Sequence, residues 1–94
     1  VGFPGNAAYA AAKYGVRGLH EALLAEYQGS ALRFTLVPPG PTDTAARDAV
    51  DPDSRPGFTP RARMLRPEDV AAAVAFAATR PAHVQLDWLR LGPA

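Results

Sequence analysis

Cysteine is absent from the 94 residues, which excludes disulfides and thiolate metal ligands. The two histidines, His20 and His83, lie far apart and outside any ligand cluster, so no metal site is expected. No apolar run approaches the roughly 20 residues that a membrane-spanning helix needs. The opening Val1-Gly-Phe-Pro-Gly5 does not resemble a signal peptide either. A cytoplasmic protein without a membrane partner is the expectation. Excess charge is missing as well: the net charge is +1 and the basic residues are scattered, which argues against nucleic-acid and anionic-membrane partners. Lysine is nearly absent, with Lys13 alone beside nine arginines. An initiator methionine is also lacking, and Gly2, Pro4 and Gly5 form a turn-like stretch that leads straight into a helix. That is how the middle of a protein looks, and a fragment is expected.

What is present suits one small globular domain: 48% of the residues are hydrophobic and 20% charged. A first helix is predicted from about Ala7 to about Tyr27. Asn6 can cap it by accepting from a free backbone N–H, and Gly29 is a plausible stop. Ala8, Ala12, Val16, Leu19, Leu23 and Leu24 follow helical spacing and predict one buried stripe, with Arg17, Glu21 and Glu26 on a wetter side. Gly15 and Gly18 each cost about 1 kcal/mol relative to alanine inside a helix. They are tolerable where another backbone packs closely.

The run Leu32 to Val37, bounded by Gly29 and by Pro38-Pro39-Gly40, reads as a strand. Helix, short turn and strand fit a parallel α/β sheet better than a hairpin. Residues 40–66 form an irregular stretch with prolines at 41, 52, 56 and 60. A short helix from Thr44 to Val50 is predicted within it, and Phe58, Met64 and Leu65 are isolated apolar residues among arginines. A stretch of this length in a compact domain is functional or mobile, and a lid over a ligand is the sharper reading. Pro67, Glu68 and Asp69 then open a second helix. Val70, Ala73, Val74, Ala77 and Ala78 are its apolar stripe, and Pro81 stops it. A last strand is predicted over about Val84 to Leu91, with Val84, Leu86, Trp88 or Leu89, and Leu91 alternating in part.

Tyr9 and Lys13 stand near the start of the first helix. Residues four apart share a helical face, about 6 Å apart along the axis. A phenol titrates near 10 and is a slow proton donor or acceptor at neutral pH. A cation within roughly 4–6 Å lowers that by about 1–3 units, toward the range useful for proton exchange with a carbonyl or alcohol. On spacing alone, two ordinary residues on an alanine-rich helix are the favoured reading, since Tyr-x-x-x-Lys occurs often by chance. Context adds to the pair. The next strand ends in Val37-Pro-Pro-Gly40-Pro-Thr42-Asp-Thr44, which puts backbone N–H groups and hydroxyls at the carboxyl end of a parallel strand, where ligands bind in open α/β sheets.

Together these features resemble the short-chain dehydrogenase/reductase family, along essentially the whole chain and matching the family's C-terminal part. The resemblance implies an α/β fold: the C-terminal portion of a Rossmann-type doubly wound parallel sheet, with two main helices, two strands and a long lid-like loop. Residues 1–94 would be one piece of a single NAD(P)-binding domain. It implies an NAD- or NADP-dependent oxidoreductase that moves a hydride between nicotinamide and a small carbonyl or alcohol substrate. Tyr9 would exchange the proton with the substrate oxygen. Lys13 would hydrogen-bond the nicotinamide ribose and depress the tyrosine pKa. Pro39, Gly40, Thr42 and Thr44 map onto the segment that contacts the nicotinamide carboxamide and a nearby phosphate. Arg66-Pro-Glu-Asp-Val70 before an alanine-rich helix is a further common feature. In the family the helix bearing the pair often builds a subunit interface, which implies a homo-oligomer, a dimer or tetramer.

The sequence departs from the family in two ways. The Thr-Gly…Val-Asp-Gly-Gly ending of many members is absent; Thr79-Arg-Pro-Ala-His83-Val instead looks like the subgroup that includes short-chain 3-hydroxy acid dehydrogenases, and hints at small polar substrates. The glycine-rich cofactor turn is absent too. So is the catalytic serine, usually about a dozen residues before the tyrosine, since Ser30 and Ser54 both lie downstream. The isolated chain is therefore expected to be inactive. His20 is expected at the surface or facing a partner, His83 and Trp88 as structural residues, and Asp43 as a turn residue. The rival readings are a non-catalytic Rossmann-like binding or scaffolding protein and a small helical interaction module.

Overall fold

The computed structural model describes residues 5–44, 53, 57 and 59–94. Residues 45–50 of the predicted helix, Phe58 and several other residues of the stretch read as a lid lie outside the described residues. Helix α1 runs over Ala7–Glu26 and helix α2 over Pro67–Ala78, with one turn of 3₁₀ helix at Arg61–Arg63 between them.

Helix α1 begins where predicted, but Asn6 does not cap it through its side chain. Its carbonyl accepts from the Ala10 N–H at 2.9 Å, while Nδ2 is buried without a hydrogen-bond partner. Glu26 ends the helix, and Gly29, at φ 80°, turns the chain away beyond it. Helix α2 opens as the sequence suggests. Pro67 fills the first turn, and Asp69 Oδ2 accepts the Arg66 N–H at 2.7 Å. It ends at Ala78, three residues before Pro81. There the Thr79 hydroxyl donates to the Ala75 carbonyl at 2.8 Å and Arg80 Nε to the Phe76 carbonyl at 2.8 Å.

The two predicted strands run side by side and parallel, but neither forms a continuous strand among the described residues. Leu36 pairs with Trp88 and Pro39 with Leu91, so residue n faces residue n + 52 throughout. In a parallel ladder every second residue of one segment makes both backbone bonds. Leu36 does so, donating to Asp87 O at 3.1 Å and accepting from Leu89 N–H at 3.0 Å. Two residues earlier the Gln85 side chain takes over, with its Oε1 accepting the Phe34 N–H and its Nε2 donating to the Phe34 carbonyl. Two residues later stands Pro38, which has no N–H to give. The ladder resumes at Gly40, whose N–H reaches Leu91 O at 2.8 Å. One glutamine and one proline thus explain why the strands are interrupted. A second short parallel pairing joins Thr42 to Leu65.

Helix α1 lies against this ladder through a face that only partly overlaps the predicted stripe: Leu23 and Leu24 are half-buried, but Ala8 and Ala12 are exposed. Val16 and Leu19 are exposed, at 53% and 60%, whereas His20 is buried. His20 Nε2 sits 2.8 Å from the Asp87 carbonyl. The Arg17 guanidinium lies over the Trp88 ring at 5.0 Å, and the Tyr27 and Phe34 rings are 5.6 Å apart. His20 is thus an inward residue, contrary to expectation. The reason is chemical: its ring N–H finds a partner in the second lone pair of the Asp87 carbonyl, which also accepts the Leu36 N–H. Nothing packs over Gly15 or Gly18 among the described residues. Met64, predicted as an isolated apolar residue, is buried.

Candidate active site

The contacts of α1 fix its direction. Arg17 and His20 meet Trp88 and Asp87, while Tyr27 meets Phe34, which lies further back along the ladder. The helix therefore runs antiparallel to the two strand-like segments, and its N-terminal turns overhang their carboxyl ends. At 3.6 residues per turn, Tyr9, Lys13, His20, Leu24 and Tyr27 fall within an arc of about 60°. From Arg17 to Tyr9 the helix rises about 12 Å. From Leu36 to Gly40 the strand-like segment advances about 13 Å. On these ideal rises, and for parallel axes, Tyr9 would stand at about the level of the Pro39-Gly40 turn.

Lys13 Nζ stands 5.4 Å from the centroid of the Tyr9 ring. Both side chains are exposed, and Tyr9 retains 60% of its accessible surface. Among the described residues neither forms a hydrogen bond or an ion pair, so phenol and ammonium are both open to a ligand.

The turn is built from its own chain and from two neighbours. Gly40 lies against the 91–93 segment: a Cβ there would be 3.2 Å from Gly92 Cα and 3.2 Å from Pro93 Cδ. The Thr42 hydroxyl donates to the Gly40 carbonyl at 2.9 Å. Asp43 N–H reaches Leu65 O at 2.8 Å, and Leu65 N–H reaches Pro41 O at 2.9 Å. Asp43, read as a turn residue in preference to one facing the cofactor region, pairs with Arg61 Nη1 at 2.7 Å. Residue spacing gave no signal for that pairing across 18 positions. Thr44 is exposed, and its hydroxyl has no partner among the described residues. The structure brings Tyr9 and Lys13 together, and separately holds Pro39, Gly40 and Thr42 on one braced turn. No hydrogen bond or ion pair links Tyr9 or Lys13 to that turn among the described residues. Nor do three or more metal-ligating side chains gather anywhere among them.

A family model described as Enoyl-(Acyl carrier protein) reductase matches residues 1–84. The chain belongs to the short-chain dehydrogenase/reductase family. An uncharacterized oxidoreductase of Mycobacterium tuberculosis is 36% identical over 98 residues, spanning 97% of this chain and 38% of its own length. Glycine betaine reductase of Emericella nidulans is also 36% identical, across 97% of this chain and 7% of its own length. Among solved structures, serine dehydrogenase from Escherichia coli superposes with a TM-score of 0.72 at 30% identity, covering 99% of this chain and 34% of that one. The closed form of serine dehydrogenase complexed with NADP+ gives 0.80 at 28% identity, covering 99% and 39%. This short-chain dehydrogenase/reductase segment thus spans less than half of these relatives. Their Rossmann-type sheet agrees with the parallel pairing seen here.

Proposed function

We propose that residues 1–94 form the C-terminal part of one NAD(P)-binding Rossmann domain, in an oxidoreductase that interconverts a carbonyl and an alcohol. The observation that carries this reading is the exposed Tyr9–Lys13 pair, with Nζ 5.4 Å from the ring centroid, on a helix whose later turns pack antiparallel to a parallel ladder. When bound, the nicotinamide supplies or accepts the hydride. Tyr9 gives its phenolic proton to the substrate oxygen during reduction and takes it back during oxidation. The Lys13 ammonium stabilises the phenolate left behind and donates to the nicotinamide ribose.

The donor set suits that cofactor. The Gly40 and Asp43 N–H groups are committed to Leu91 and Leu65, so the braced turn keeps its shape. Membership of the family gives the carboxamide and phosphate contacts to the backbone around Thr42 and to the Thr44 hydroxyl. NADP+ in the closed serine dehydrogenase makes NADP the first cofactor to try. That protein's name also agrees with the small polar substrates suggested by the 79–84 tail. The exposed Val16 and Leu19 on the outward face of α1 support a homo-oligomer. No helix among the described residues is long and apolar enough to cross a membrane.

The test is Tyr9→Phe in the intact enzyme. Turnover should fall by about 10²- to 10⁴-fold, while NADP+ affinity, read by fluorescence titration, stays within about threefold because Lys13 and the turn remain. Near-normal turnover would instead favour a binding or scaffolding role.

A further inference from the structure

We propose that His20 is a positioning residue for proton transfer, setting the height of α1 on the ladder and so the placement of Tyr9 and Lys13. The inference rests on the reading of Tyr9 just given. The Asp87 carbonyl accepts two hydrogen bonds, one from the Leu36 N–H at 3.1 Å and one from His20 Nε2 at 2.8 Å. Because a carbonyl only accepts, Nε2 carries the hydrogen. A single oxygen therefore joins both strand-like segments and the helix, at a ring that is 7% exposed.

The other links between helix and ladder tolerate sliding. A guanidinium over an indole and two tilted aromatic rings keep their attraction through small displacements. A hydrogen bond is directional and weakens steeply when its angle is lost. His20 thus fixes the axial position. Lys13 lies two turns and Tyr9 three turns N-terminal to it, about 10 and 16 Å along the axis. A shift at His20 is carried along this stiff rod to the phenol. Misplacing a reacting group by about 1 Å can cost about 10²-fold in rate.

The experiment compares His20→Leu, His20→Gln and Tyr9→Phe in the intact enzyme, singly and combined, at a temperature where circular dichroism shows each to be folded. His20→Leu should lower kcat by about 10- to 100-fold and raise the solvent deuterium isotope effect on kcat, as proton transfer becomes slower. His20→Gln, whose amide N–H reaches the same carbonyl, should keep kcat within about threefold of the parent. Where His20→Leu does not fold, His20→Asn, one methylene too short for Asp87, takes its place. In the Tyr9→Phe background the loss of His20 should cost less than it does in the parent, because the phenol is gone and only the placement of Lys13 remains to be lost. The proposal is overturned if the leucine or asparagine variant keeps kcat, if glutamine does not rescue, or if the two losses multiply. Should Tyr9→Phe itself retain turnover, the fault lies with the proton-transfer reading and not with the pin.

Discussion

Gly40 illustrates how much one missing side chain can do. Its φ is ordinary; the constraint is space, since the 91–93 segment lies where a Cβ would stand. Contacts of 3.2 Å require the neighbours to yield by a few tenths of an ångström, and here one of them is backbone. Gly40→Ala should therefore destabilise the intact enzyme by about 1–3 kcal/mol, seen as a lower denaturant midpoint with an unchanged slope. The sequence marked Gly40 as a turn residue, while the close approach of Gly92 and Pro93, more than fifty positions away, left no local trace. The same holds for His20. A lone histidine on a helix reads as polar and outward, and only the carbonyl facing it turns it inward. Tyr9 and Lys13 were the easier case, because their relation is local and helical spacing defines it.

Elements were legible where their ends carry chemistry. Pro67 and Asp69 marked the start of α2, and the start of α1 followed from the break after Gly5. The packed face of α1 was legible only in part. In a helix so rich in alanine and glycine, several stripes satisfy a 3.6-residue period. The inward one, with Arg17, His20 and Tyr27, is polar and aromatic. The predicted strands appear only as isolated parallel bridges, at Leu36–Trp88 inside both predicted ranges and at Pro39–Leu91 beyond the end of the first. Pro38 removes a donor that the ladder needs, and the Gln85 side chain replaces a backbone partner. The exit of α2 depends on a distant residue: Arg33 Nη1 donates to the carbonyls of Arg80, Pro81 and Val84 at 2.8–3.1 Å. Arg33→Met should leave those carbonyls to water and lower stability by about 1 kcal/mol. Thermal unfolding of the intact enzyme would register this as a drop of a few degrees.

At the scale of the whole chain, little is sealed from water. His20 and Met64 are the buried residues among those described, while Leu32, Val74 and Phe76 stand about half exposed. Burial on this scale does not offset the entropy of ordering some ninety residues. Among the described residues no second segment pairs with the outer edge of the 32–37 segment, where parallel strands ordinarily have a neighbour. The 94 residues expressed alone should show weak helical circular dichroism, no cooperative melt and no saturable NADP+ binding; a sharp two-state transition with micromolar affinity would refute this. The n + 52 register also has a temporal consequence. Helices α1 and α2 can each form from neighbours in sequence, within microseconds. Leu36 cannot meet Trp88 until a loop of about fifty residues has closed, and such non-local parallel pairing is intrinsically slow. The Gly40 turn is completed only by Leu91, so the turn proposed to hold the cofactor is among the last parts of the chain to acquire its shape.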